Sequence, residues 1–299
     1  MNNSCTNVLF GEENLRIEDI VALAEQRAMP VLSSAPEFTT RIQAGADFLD
    51  RELRDHGHIY GVTTGYGDSV SRRVPPELVA ELPLHLSRFH GCGLGNLLSA
   101  NQARAVLAVR LASLCTGYSG VSLNLLRQLS GLLEHNITPL IPEEGSVGAS
   151  GDLTPLSYVA ATLMGERDVF FNGEQQAAAH VLEQLDIAPI ALRPKEGLAL
   201  MNGTAVMTAL ACLAHQRSQY LVKMCSRITS MMVVSMMGNA DHYDERLFSV
   251  KPHAGQIQVA TWIREDLLHE ELPRNSNRLQ DRYSLRCAPH IIGVLADSL

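Results

Sequence analysis

Apolar residues recur at helical spacing along most of the 299-residue chain. "NVLFGEEN" predicts a short extended piece, and "IVALAE", following Asp19, an amphipathic helix. "TTRIQAGADFLDRELRDHG" predicts a second helix that Gly57 stops. "SANQARAVLAVRLASLCTGYSG", "VSLNLLRQLSGLLEHN" and "LTPLSYVAATLMGE" carry three more, the last with Pro155 in its first turn, where a missing N–H costs nothing. From "NGTAVMTALACL" to "SMMGNADH" the pattern stays helical, nearly free of Gly and Pro, and apolar on more than one face. Such a helix belongs inside a bundle, with Met224, Met231, Met232, Met236 and Met237 as core filler. "RYSLRCAPHIIGVLADSL" ends the chain on a further apolar helical pattern. Between these elements, "IYGVTTGYGDSV" and "GSVGASGDLTP" break the periodicity as glycine-rich loops.

The expectation is a mainly α protein with a long-helix bundle core and a loop-rich N-terminal region, divided into residues 1–195 and 196–299. Composition agrees: 46% of residues are hydrophobic but only 5% aromatic, with Trp262 the single tryptophan, which favours packed helices over a β-sandwich. The formal net charge of -8 and the lack of a basic stripe argue against nucleic acid and anionic membranes. No apolar run is expected to approach the length of a membrane span, and "MNNSCTNVLFGEEN" lacks the features of a signal peptide. Six scattered cysteines without a CxxC pair (Cys5, Cys92, Cys115, Cys212, Cys225, Cys287) argue against a zinc site or a disulfide framework and predict a reducing cytoplasm. The tight histidine groupings, His56–His58 and His242–Asp244–Glu245, lack the pairing of a metal site. No metal or dissociable cofactor is expected.

"VGASGDL" has two readings. As a turn, it needs small residues for no further reason. As chemistry, it places Ala149, Ser150 and Gly151 in sequence. The Gly151 nitrogen has no Cβ beside it and can approach the Ala149 carbonyl. Cyclisation, with dehydration at Ser150, would give 4-methylidene-imidazol-5-one (MIO), an electrophile made from the chain alone. Asp152 would assist the proton transfers, and the positive end of the following helix would favour negative charge on the ring oxygen.

The wider sequence bears on this choice. "IYGVTTGYG", "GSVGASGDLTPLSYVA", "EGLALMNGT" and "QDRYSLRCAPH" occur in that order. Together they resemble the aromatic amino acid ammonia-lyases and 2,3-aminomutases, the family of histidine, phenylalanine and tyrosine ammonia-lyases, over essentially the whole chain. The resemblance implies that Ala149, Ser150 and Gly151 form MIO and that Tyr60 removes the substrate's β-proton from a lid loop. To act as a base, Tyr60 needs nearby positive charge or hydrogen bonds that favour phenolate. It also implies that Asn202 holds the prosthetic ring or the substrate carboxylate, that Arg286 clamps the carboxylate through its bidentate fork, and that Gln280 and Tyr283 line the site. The implied reaction releases ammonia and a trans-arylacrylate. The implied assembly is a cytoplasmic homotetramer with active sites shared between subunits.

The pair that contacts the substrate ring falls on Phe89 and His90 in "LSRFHGCG". Phe-His matches none of the phenylalanine, tyrosine or histidine types. His90 offers a hydrogen bond to a phenol or an imidazole, which favours tyrosine or histidine over phenylalanine. Family members continue beyond the "QDRYSLRC" motif, and this chain ends at Leu299 within a helical pattern, so a fragment is expected. An aminomutase, or an inactive homologue retained as a scaffold, are the alternative readings.

Overall fold

The computed structural model describes residues 6–55, 57–148, 151–268 and 278–299. It is mainly helical and separates into two compact units, Met1–Leu213 and Ala214–Leu299. The sequence places a division at 195/196; the units part within the longest helix.

In the first unit, strand β1 (Thr6–Phe10) leads through α1 (Ile17–Ala24) to β2 (Ala28–Leu32), which pairs with it in parallel, and then α2 (Pro36–Asp55) follows. Gly57, at φ +62, returns its N–H to the Glu52 carbonyl and stops α2 as the sequence predicts. After the loop that carries Tyr60 come α3 (Leu82–His90), β3 (Leu94–Leu97), α4 (Ala100–Cys115), α5 (Leu123–Glu134), β4 (Thr138–Pro139) and β5 (Pro142–Glu144). The unit closes with α6 (Leu153–Leu163), β6 (Asp168–Phe171), β7 (Glu174–Ala177), α7 (Ala178–Gln184), α8 (Glu196–Met201) and the first part of α9 (Ala205–Ser235).

The core forms around α4 and α5, with Leu107, Leu111, Leu114, Leu125, Leu126 and Leu129 fully buried. Arg104 of α4 is buried among them. Its guanidinium donates to the carbonyls of Leu23 and Leu133 and to Asn136 Oδ1, so every acceptor comes from the loop-facing ends of neighbouring elements. The hairpin β6–β7 turns at Asn172-Gly173, both at positive φ, the dihedral signature of a tight hairpin turn.

In the second unit, α9 ends where Met237 adopts φ +50. The N–H groups of Gly238 and Met237 return to the Val233 and Val234 carbonyls, a Schellman stop made without glycine at its left-handed position. Helices α10 (Glu245–Ser249), α11 (Ala254–Leu267), α12 (Tyr283–Arg286) and α13 (Ala288–Ser298) follow. Val222, Val233, Tyr243, Val259 and Ile263 form this unit's own core, and the Tyr243 hydroxyl donates to the Leu285 carbonyl at 2.8 Å.

Two sequence expectations change. Met224, Met231, Met232, Met236 and Met237 are exposed rather than core filler, because the chain's own elements cover only part of α9. The stretch Glu196–Ser235 is long and apolar enough to cross a membrane by length and composition, with 39% of its most apolar window buried. Its apolar residues are spread around the helix and read as separate faces, which hid the length of the run.

Candidate active site

The site is organised by the connection between α8 and α9. Lys195, at φ +72, turns the chain into α8. The buried Glu196 carboxylate then accepts N–H groups from Ser122 and Arg193, each at 2.8 Å. Helix α8 ends at Asn202, whose backbone is extended at φ -91 and ψ 98. Three residues, Asn202 to Thr204, bridge to α9.

The segment after Ser150 packs on this bridge. Gly151 adopts φ +97, and a Cβ there would lie 2.6 Å from the Gly203 nitrogen and 2.9 Å from Asn202 Oδ1. No side chain fits, so glycine is required by contact as well as by dihedral. The Asp152 N–H donates to the Gly203 carbonyl at 2.7 Å. The Asp152 carboxylate, only 3% exposed, accepts the Ser146 hydroxyl at 2.7 Å and the N–H groups of Val206 and Met207 at 2.8 and 3.1 Å. It therefore caps α9 from a distant part of the chain, filling orphan donors of that helix's first turn. Helix α6 begins at Leu153, beside the same aspartate. The positive ends of two helices thus converge where Gly151 sits. Ala149 and Ser150 lie outside the described residues.

Arg110 of α4 holds the other side of the bridge. Its Nη2 donates to the Ala199 carbonyl and, at 3.3 Å, to that of Asn202. A Cβ on Gly203 would run into its Nη1. The side chain is buried, and its Nε has no partner among the described residues. Burial pulls the guanidinium down to about 10, and attraction to Asp152 opposes that fall. A cavity of about 960 Å³ is lined by Arg110, Asn202, Thr204, Thr208, Lys195 and Tyr118. Sequence reasoning missed Arg110, although a charge within the apolar run "AVLAVRLASLC" was a visible signal.

Tyr60 stands on a loop closed mainly by its own bonds. The Ile59 N–H donates to Thr63 Oγ1 at 2.9 Å, the Gly65 N–H to the Arg72 carbonyl at 2.9 Å, and the Val74 N–H to the Thr63 carbonyl at 3.0 Å. The Tyr60 hydroxyl accepts the Gly67 N–H at 2.9 Å, the kind of donor the sequence reading asks for. Gly61, at φ +67, packs so closely that a Cβ would lie 2.6 Å from Leu198 Cδ2. The loop therefore rests on α8, the helix that ends in Asn202. Tyr66, beside Gly61, is pushed up to about 12 by burial and by the neighbouring Tyr60, so it stays a neutral phenol.

Helix α3 packs on this framework from another direction. Pro83 at its start meets Gly197 of α8, and the buried Ser87 hydroxyl donates to the Ser157 carbonyl of α6 at 3.1 Å. Phe89 and His90 form its last turn. Phe89 is exposed, and the two rings meet edge to face with centroids 5.1 Å apart. His90 Nδ1 lies 3.0 Å from the Leu86 carbonyl. A carbonyl only accepts, so the proton is on Nδ1, and in the neutral ring Nε2 is left as an acceptor. The structure brings Gly151, Asp152 and Asn202 into direct contact and rests the Tyr60 loop on the same helix. Phe89 and His90 are linked to them through α3 rather than by contact.

Gln280, Tyr283 and Arg286 belong to the second unit. Gln280 is exposed beside the buried Asp281, which accepts the Asn239 N–H at 2.7 Å. Tyr283 and Arg286 bound α12, with the guanidinium over the tyrosine ring at 4.7 Å. The hydrogen bond to Cys287 pushes the Tyr283 phenol up. Arg286 Nε is buried without a partner among the described residues. Among those residues no group of three His, Cys, Asp or Glu side chains is placed to hold a metal ion.

A family model described as aromatic amino acid lyase matches residues 15–299. Histidine ammonia-lyase of Bacillus velezensis is 37% identical over 265 residues, covering 88% of this chain and 52% of that protein. The crystal structure of tyrosine aminomutase from Streptomyces globisporus superposes with a TM-score of 0.89 at 33% identity, over 98% of this chain and 59% of that one. Histidine ammonia-lyase from Trypanosoma cruzi gives a TM-score of 0.85 at 32% identity, over 97% and 54%. The chain spans about half the length of the curated relatives it matches.

Proposed function

The chain belongs to the aromatic amino acid lyase family, and on that premise we propose that it serves an ammonia-lyase acting on an aromatic L-amino acid with a polar ring, histidine before tyrosine. The observation that carries this reading is the contact of Gly151 and Asp152 with Asn202–Gly203, a space that a single Cβ would fill. That crowding suits a tripeptide pressed into cyclisation. A bond forms between Gly151 N and Ala149 C, the Ala149 oxygen leaves as water, and Ser150 loses its hydroxyl and α-hydrogen as a second water, with no change in oxidation state.

The resulting methylidene-imidazolone supplies an electrophilic carbon for the substrate's amino group. The chain's side chains do the rest. Tyr60, with the Gly67 N–H on its oxygen, takes the β-proton. Tyr66 stays neutral and does not compete for that role. We assign the substrate carboxylate to Arg286 and further substrate contacts to Gln280 and Tyr283, and Asn202 keeps its amide against Gly151. Asp152 anchors the reactive segment to α9. His90 Nε2 accepts a hydrogen bond from an imidazole N–H or a phenol O–H, and phenylalanine has no such donor. The similarity to histidine ammonia-lyases supports histidine as first choice.

The exposed stripe Tyr220, Leu221, Met224, Ile228 and Met231 on α9 fits a homotetramer in which partner helices cover it. The free thiols among the described cysteines fit a reducing cytoplasm. The resemblance to tyrosine aminomutase favours a second reading, in which ammonia returns at the β-carbon. Incubation with L-histidine, L-tyrosine and L-phenylalanine, followed by arylacrylate absorbance and product analysis, tests the choice of substrate and the choice between lyase and aminomutase. Histidine should have the highest kcat/KM. Fastest turnover of phenylalanine would sink the polar-ring reading, and accumulation of a β-amino acid would replace lyase by aminomutase. Ser150→Ala has no hydroxyl to eliminate, so it should keep the intact mass calculated for its uncyclised sequence and lose the near-ultraviolet band of the ring; a Ser150→Ala chain that keeps the band would remove the prosthetic group from the account.

A further inference from the structure

Arg110 is a buried cation whose bonds go to the backbone of the α8–α9 bridge. It reaches the last-turn carbonyl of Ala199 and the Asn202 carbonyl, and its guanidinium lies against Gly203. Those carbonyls are orphans of a helix C-terminus, where a cation is favourable. On the other face of the same three residues, Asp152 takes the Gly203 carbonyl with its N–H and the first N–H groups of α9 with its carboxylate. A buried cation and a buried anion thus grip one short segment from opposite ends, and each offsets the cost of burying the other.

We propose that Arg110 is a positioning residue for the reactive tripeptide: by holding the Asn202 carbonyl it keeps the 202–204 bridge pressed against Gly151. This rests on the reading of Ala149–Ser150–Gly151 as self-cyclising. Cyclisation needs the Gly151 nitrogen close to a carbonyl two residues back, and misplacement by about 1 Å is enough to slow such a step about 100-fold. The bridge supplies that confinement, since the Gly203 nitrogen and Asn202 Oδ1 occupy the space into which the glycine would otherwise relax. Lysine cannot replace the arginine fully. Its single ammonium could replace the Nη2 that reaches both carbonyls, but it has no second nitrogen to stand where Nη1 lies against Gly203.

The test follows two-water loss by intact mass in freshly synthesised full-length chain, with amide exchange at Val206 and Met207 and a melting curve for each variant. Arg110→Met should slow dehydration about 100-fold and Arg110→Lys about 10-fold, with faster exchange at both amides and a cooperative melt. Dehydration of Arg110→Met at the unmodified rate overturns the proposal. If Arg110→Met does not fold, Arg110→Lys decides, and an unchanged rate there overturns it equally. If the unmodified chain keeps both waters, the tripeptide reading has failed on its own account. The amides then decide for Arg110: exchange unchanged in Arg110→Lys overturns its hold on the bridge, and faster exchange sustains it.

Discussion

The two segments that carry the proposed chemistry are held in opposite ways. At the junction of Gly151–Asp152 with Asn202–Gly203, the bonds connect residues some fifty positions apart in the sequence, and Asp152 is 3% exposed. In the Tyr60 loop the bonds run between residues at most fifteen apart, and Tyr60 is 49% exposed. The junction can move only if α6 or α9 moves with it. The loop can open by breaking its own bonds, leaving the core intact. Each suits its task. Backbone cyclisation demands fixed neighbours, whereas a residue that closes over a substrate must first let it in.

The sharpest way to break this comparison is Asp152→Ala. It removes three accepted hydrogen bonds, uncaps α9 and strands the Arg110 charge, so stability should fall by about 3–5 kcal/mol. Urea unfolding measures it, and a loss below about 1 kcal/mol would mean that the junction is no firmer than the loop. Gly151→Ala comes next. It forces a side chain into φ +97 and against the Gly203 nitrogen, at a cost of about 2–4 kcal/mol. Because the clash is with backbone, the variant should also keep both waters by intact mass.

Much of this was legible in the sequence, for reasons that differ by element. The helices announce themselves through periodicity, and α4, α5 and α6 fall within the stretches that predict them. Of the strands only β1 does, as the extended piece at "NVLF"; the others span at most five residues, too few for a period of two to register. The hairpin β6–β7 had its own sign, Asn172-Gly173, which lies outside any glycine-rich cluster and was not read. At the site, Gly151 and Asn202 were legible as small and turn-forming residues within specific motifs. Arg110 was not, since its partners are backbone carbonyls brought up by tertiary packing. The capping of α9 by Asp152 was hidden for the same reason: nothing in "SGDLTP" points to residues 206 and 207.

The loop gives the smaller effects. Thr63→Val removes the acceptor of the Ile59 N–H, worth about 1 kcal/mol. Amide exchange at Ile59 should speed up roughly five-fold, while the global melt hardly moves. An equal loss in both would show that the loop and the core open together.

The last effect is one of pH. Tyr66 is pushed from the ordinary 10 to about 12, first by burial and then by Tyr60. The folded loop therefore favours the neutral phenol more than the open loop does. That preference is fully present below pH 10 and is lost as pH rises through about 12. Loop opening, followed by exchange or by limited proteolysis, should rise across this window in the unmodified chain. Tyr66→Phe cannot ionise, and its loop should open to the same extent at both ends of the window, apart from the slow general effect of alkali on the whole unit. A Tyr66→Phe loop that still opened with the original pH dependence would place the titrating group elsewhere. It would also take away the reason for thinking that burial keeps Tyr66 neutral while Tyr60 stands free to act.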